Sequence, residues 1–331
     1  MSQMEASRIS VRRGTLYVFL ASLLFSLGGL GIKLIPWQPL SINGARNLIS
    51  IAMIALYMKK TGHRLVVNKG VLTGAFCMCA TTTLYVISNK LTTAANAIVL
   101  QFTAPIFLIF IMAIFFHEKP TRLDLVTCAV VLAGIVCFFI DSLTSGGGLG
   151  NLLAILSGAT YAGVFMLNTF PGADSLSSIL IGQIASGLIG IPFLIRETDF
   201  STPVMGAVFM LGFFQLGLAY IFFSRGLEAV PPVMASLTSG LEPVLNPVWV
   251  ALFYKETISK VAMLGAVIVV GAIVCYNLKK AINQQKQQRG LDAPFDAADD
   301  AIEGAGQTAA SPLSVSTQGP PDSLQKEEEP S

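Results

Sequence analysis

Apolar residues gather along this chain into ten runs, at roughly 15–35, 40–58, 70–88, 94–116, 122–140, 149–168, 176–195, 203–223, 231–254 and 259–278. A helix needs about 20 such residues to cross a hydrocarbon core, so each run predicts one membrane-spanning helix. The alternating apolar and polar residues of a barrel strand are missing, and lipid forces every backbone group to pair within its own segment, which helices achieve. Short polar or helix-breaking stretches separate the runs: Pro36-Trp37-Gln38-Pro39, the basic run Lys59 to Lys69, Gly146-Gly147-Gly148 and Pro231-Pro232. The first run is too long for the apolar part of a cleaved signal and counts as a mature span.

The pattern repeats. The stretch Pro105 to Ile140 returns as Pro243 to Leu278, with Glu118 and Glu256 each 13 positions after the proline. Ile135-Val136-Cys137 returns as Ile273-Val274-Cys275 at the same spacing of 138. Further upstream the offset is 136, matching Gly14 with Gly150, Phe25 with Tyr161, Ser50 with Ser186 and Leu91 with Leu227. Each copy holds five runs. An odd number forces the second copy to enter the membrane from the opposite side, an inverted repeat with its axis in the membrane plane. The expected fold is an all-α integral membrane protein of ten transmembrane helices in two inverted five-helix repeats.

Composition agrees with lipid as the solvent. Of 331 residues, 53% are hydrophobic and 12% charged, against about 25% charged in soluble domains. Fourteen Lys and Arg fall in segments on the N-terminal side of the membrane and five on the other. The positive-inside rule then makes both termini cytoplasmic and the location a multi-pass cell membrane. Bases lying between apolar runs do not indicate nucleic acid. The layout is a cytoplasmic N-terminus at 1–13, a first repeat at 14–141, a glycine-rich link at 142–149, a second repeat at 150–279, and a tail at 280–331. After Arg289 the tail has nine acids, one base and few large apolar residues, a disordered composition. Cys77, Cys79, Cys128, Cys137 and Cys275 lie in apolar runs with no metal spacing and read as small packing groups.

The sequences Ala94-Ala95-Asn96-Ala97…Pro105…Phe116-His117-Glu118 and Gly240-Leu241-Glu242-Pro243…Tyr254-Lys255-Glu256 resemble the two EamA-type domains of the drug/metabolite transporter superfamily. The resemblance covers about residues 14–280 and includes Arg46 in the second run. It implies a ten-helix inverted-repeat carrier, and members move small metabolites, often outward and often amino acids. Glu242 is matched by Ala104 and Arg46 by Gly182. The central site is therefore chemically asymmetric, and the substrate does not carry over.

Glu242 and Arg46 are the candidates for chemistry. A carboxylate in hydrocarbon costs about 2.5–3.5 kcal/mol on insertion scales, so Glu242 should face the interior. It could couple protons, bind an ammonium group, or make a structural hydrogen bond. Arg46 could hold a substrate carboxylate by a two-point contact, or serve a structural ion pair or headgroup. Together they suit a zwitterion. Asn43, Gln101, Asn246, Tyr85 and Tyr220 could add convergent polar groups to a pocket or link helices. Pro105, Pro243 and Pro247 each remove a backbone donor inside a run, giving a kink whose freed carbonyls either pack or face a cavity. Lys33 and Lys90 should snorkel outward, and Trp37 should anchor at the interface.

The expected function is a secondary transporter, an exporter or exchanger of small polar metabolites by alternating access. Its partners are a small-molecule substrate and the lipid bilayer. No nucleic acid or cofactor is expected, and a homodimer is compatible with a sequence that fixes no oligomeric state. No ATP-binding loop is present. A channel or structural protein is the alternative, although isolated polar groups around broken helices suit an occluded site better than a continuous pore lining. An enzyme would need a nucleophile and base or a metal cluster, and the two histidines, His63 and His117, lie far apart in loops.

Overall fold

In the computed structural model the described residues are 3–139, 147–169, 172–245, 260–261, 263–280 and 282–283. All regular structure among them is helical. The elements are α1 (Gln3–Phe25), α2 (Gly28–Leu34), α3 (Pro39–Thr61), α4 (Lys69–Leu91), α5 (Ala94–Gln101), α6 (Ala104–Phe115), α7 (Arg122–Phe139), α8 (Gly148–Phe165), α9 (Ser175–Leu194), α10 (Thr202–Met210), α11 (Ala219–Leu227) and α12 (Pro232–Thr238). A π-helical segment, Leu211–Leu218, joins α10 to α11. A further helix, α13, spans Met263–Lys280. Seven described helical stretches are long and apolar enough to cross a membrane. Residues Met1–Leu278 form one compact unit and Lys279–Ser331 a second.

Local chemistry sets the helix starts. Asn68, Thr93 and Asp174 cap α4, α5 and α9, each side chain accepting from the backbone N–H three residues on. Pro39, Pro203 and Pro232 sit in first turns, where a missing N–H costs nothing. The same rule corrects the expected proline kinks. Pro105 lies in the first turn of α6, after a break at Phe102–Thr103. Pro243 lies in the helical stretch 241–245, after a turn at Ser239–Gly240. Each proline opens a new segment instead of bending a continuous helix. Gln101, four residues before Pro105, receives no bond from it. Of the two fates expected for a freed carbonyl, packing or facing a cavity, the Gln101 carbonyl shows packing. It lies over Gly158, where a Cβ would come within 2.7 Å. Pro247 and Asn246 lie outside the described residues, as does nearly all of the tail.

Two pairs of repeat-equivalent helices lie side by side. In α3 and α9, Gly44 meets Gly190 while Leu48 and Ile51 meet Gly187. Residue numbers rise in one helix as they fall in the other, so the two run antiparallel. In α7 and α13, Asp124 meets Tyr276 and Gly134 meets Val269, again antiparallel. Contacts between the halves are also exchanged. The first helix of one half packs on the third of the other: α1 on α11, and α8 on α4. Gly182, Ser186 and Gly190 divide their contacts, with Gly182 against Met78, Ser186 hydrogen-bonded to Thr82, and Gly190 against Gly44.

Loops from the two halves meet at both ends of the α3/α9 pair. At one end His63 contacts the Asp174 carboxylate at 3.0 Å, Val66 N–H donates to Ser177 Oγ, and Asn68 Nδ2 donates to the Gly172 carbonyl. At the other end Trp37 Nε1 donates to the Asp199 carbonyl at 2.7 Å, and Gln38 N–H donates to the Glu197 carboxylate. The 136-residue offset carries His63 to Asp199 and Asp174 to Gln38, so the two clasps are counterparts built from different chemistry. Lys33 and Lys90 do more than point outward. Lys33 Nζ donates to the Thr92 carbonyl beyond α4, and Lys90 Nζ to the Ile35 carbonyl beyond α2, so each satisfies the other helix's end.

A Cβ on Gly190 would lie 2.3 Å from the Gly44 Cα, whereas one on Gly206 would meet nothing within 4 Å. Gly190→Leu should therefore lower the thermal midpoint in detergent by several degrees and Gly206→Ala should leave it unchanged, as read by intrinsic fluorescence. Half-burial raises the Asp174 pKa, but hydrogen bonds from Ser177 and the contact with His63 outweigh it and hold the carboxyl below its ordinary range. Its stabilisation is present above the usual carboxylate pKa and is lost as pH falls through the lowered value. Asp174→Ala should cost about 1 kcal/mol at pH 7, typical of a lost helix cap. The gap from wild type should narrow below about pH 4.

Candidate functional site

Helix α3 presents Asn43, Arg46, Asn47 and Ser50 inward, and all four are buried. Arg46 is 1% exposed, the largest fully buried side chain. Its Nε and Nη2 donate to Asn43 Oδ1 at 3.4 and 3.1 Å, Nη2 to the Thr82 carbonyl at 3.3 Å, and Nη1 to Gln215 Oε1 at 3.4 Å. Every one of these acceptors is neutral. Asn43 is itself fixed by donating to Thr83 Oγ1 and by receiving from Asn47 Nδ2. Gln215 sits in the π-helical segment, a departure from α geometry that often marks functional positions.

Arg46 and Gln215 line one cavity. Glu242 lines it from the second half and is 6% exposed. Its carboxylate receives one long hydrogen bond, from Tyr161 Oη at 3.5 Å. Its backbone N–H donates to the Ser239 carbonyl across the turn that precedes Pro243. Arg46 and Glu242 form no ion pair, and the salt bridges found among the described residues are His63–Asp174 and Arg225–Glu228. An arginine and a glutamate, both buried, thus share one cavity without touching.

The remaining walls are aromatic and hydroxylic. Tyr85, Tyr161, Tyr220 and Phe25 contribute rings. Phe25 meets Tyr220 edge-on at 4.7 Å, and Tyr161 packs on Phe165 at 4.6 Å. Gln101 Nε2 donates to Ser157 Oγ, which donates to the Thr81 carbonyl, and Thr81 Oγ1 donates to Thr160. The fold thus brings Arg46, Glu242, Gln101, Tyr85 and Tyr220 to one cavity and sets Asn43 directly behind Arg46. Phe25, Thr81 and Thr82 also line it and were not among the expected residues. The repeat held a signal for Phe25, whose counterpart is Tyr161. The two threonines carried none, because hydroxyls are common in packed helices.

A model of the EamA-like transporter family matches residues 12–140 and, a second time, residues 148–278. The chain belongs to the EamA-like transporter family. A solved structure titled "Crystal structure of protein" superposes on this EamA-like chain with a TM-score of 0.69. The two are 18% identical, and the match covers 80% of this chain and 97% of that one, so they share a fold. No curated protein matches this chain by sequence. The cavity of this membrane transporter draws on both matched segments, with Arg46 from the first and Glu242 from the second.

Because Arg46 and Glu242 do not pair, neither should depend on the other for stability. A double-mutant cycle with Arg46→Met and Glu242→Gln, read by unfolding in detergent without substrate, should give a coupling within about 0.5 kcal/mol. Breaking a buried ion pair would instead cost about 3–5 kcal/mol on removal of one partner.

Proposed function

We propose that this EamA-like chain is a secondary carrier of small zwitterionic metabolites, amino acids or related compounds, working by alternating access as an exporter or exchanger. One observation carries the reading: Arg46 and Glu242 are buried in the same cavity, and neither has a charged partner among the described residues. In hydrocarbon such groups are costly alone. A substrate bearing a carboxylate and an ammonium group satisfies both, with the remaining Arg46 N–H, on Nη1, meeting the carboxylate and Glu242 the cation. Gln215, Asn43 and the Thr82 carbonyl hold Arg46 in place for that contact. Glu242 is also the candidate for exchanging a proton with the gradient when the site is empty.

The architecture proposed is ten spans in two inverted halves, with both termini in the cytoplasm. The antiparallel courses of α3 and α9 and of α7 and α13 support inversion. So do the exchanged contacts of first and third helices and the counterpart clasps at opposite ends of the α3/α9 pair. The excess of Lys and Arg on one set of loops supports the orientation. Alternating access would release one clasp while the other holds, exposing the cavity to each side in turn.

The test is uptake or counterflow of a labelled amino-acid panel in proteoliposomes containing wild type, Arg46→Gln or Glu242→Gln protein. Saturable flux that falls at least ten-fold in each variant is expected. Unchanged transport in both would end the reading, and flux that never saturates would indicate a channel. A proton role for Glu242 further requires wild-type flux to vary with pH and Glu242→Gln flux to lose that dependence.

A further inference from the structure

The cavity wall is in large part aromatic. Phe25, Tyr85, Tyr161 and Tyr220 come from four different helices and line the same space as Glu242. Phe25 and Tyr220 brace each other edge-on at 4.7 Å, and Tyr161 is held against Phe165 at 4.6 Å, so three of the rings are fixed by aromatic packing. The hydroxyls beside Gln101 are engaged with one another: Ser157 between Gln101 and the Thr81 carbonyl, and Thr81 with Thr160. A primary ammonium brings three N–H donors and needs an acceptor for each. A quaternary ammonium brings none. It is held by a negative charge and by the electron-rich faces of several rings, in a site that excludes water.

Resting on the zwitterion reading above, we infer that the preferred substrate class carries an N-methylated ammonium group together with its carboxylate, a betaine. Glu242 supplies the countercharge, Phe25, Tyr161 and Tyr220 supply the cage, and Arg46 takes the carboxylate. The repeat pairs Phe25 with Tyr161, so each half contributes one equivalent wall of the cage.

The experiment is a binding series on the purified full chain with glycine, N-methylglycine, N,N-dimethylglycine and glycine betaine. All four are zwitterions with the same carboxylate and differ only in methylation. Affinity should rise along the series, reaching at least ten-fold from glycine to betaine. Phe25→Leu should cut the betaine-to-glycine ratio roughly five-fold, the equivalent of one cation–π contact of about 1 kcal/mol. Phe25→Tyr, which restores a ring, should recover the preference. Flat or falling affinity along the series, with glycine still bound, overturns the betaine assignment and leaves the zwitterion carrier standing. Failure of every member to bind overturns both. If Phe25→Leu does not fold, the wild-type series alone decides.

Discussion

Hydrocarbon tolerates charge only where the charge has a partner or a wet cavity, and the centre of this protein is arranged around that constraint. Arg46 is enclosed by neutral acceptors and Glu242 by one tyrosine hydroxyl. Both could have been neutralised by a direct ion pair, as buried charges usually are. Under the proposed function, their separation across a common cavity lets each meet one end of a ligand of opposite polarity.

The rest of the bundle holds those two groups apart. Gly44 and Gly190 bring α3 and α9 into backbone contact, which fixes the helix carrying Arg46 against the second half. The break before Pro105 and the turn before Pro243 end one helical segment and start the next beside the cavity. Glu242 therefore sits at the beginning of a segment, one residue before its proline. The π-helical segment places Gln215 against Arg46 with no counterpart in α4, the equivalent helix of the first half, which is a regular α-helix. The two halves thus share a scaffold and differ in the residues aimed at the centre. The zwitterion carrier proposed for this chain needs that combination.

Much of this was legible from residue order. The helical class followed from run length, the duplication from the matched prolines, glutamates and tripeptides, and the central pair from the rarity of charge within apolar runs. The breaks were not legible at their true positions. A proline in an apolar run reads equally as a mid-helix kink or as the first turn of a new helix, and only the course of the chain around Gln101 and Ser239 separates the two. The π-helical geometry at Leu211–Leu218 left no mark that composition could reveal. Lys33 and Lys90 looked like residues reaching for water, because the carbonyls they cap belong to helix ends distant in sequence. Phe25, in the middle of an apolar run, looked like ordinary packing, and only its match to Tyr161 in the repeat marked it out.

Whether the separated charges are a ligand site is decided most directly by calorimetric titration of the purified protein with single-charge fragments. The zwitterion that the transport panel ranks first would be compared with its methyl ester, which keeps only the cation, and with a simple carboxylate, which keeps only the anion. If Arg46 and Glu242 engage opposite ends of one solute, the zwitterion should bind at least ten-fold more tightly than either fragment. Equal affinities for zwitterion and ester, or for zwitterion and carboxylate, would mean that one of the two charges does not meet the ligand and would contradict the two-ended site.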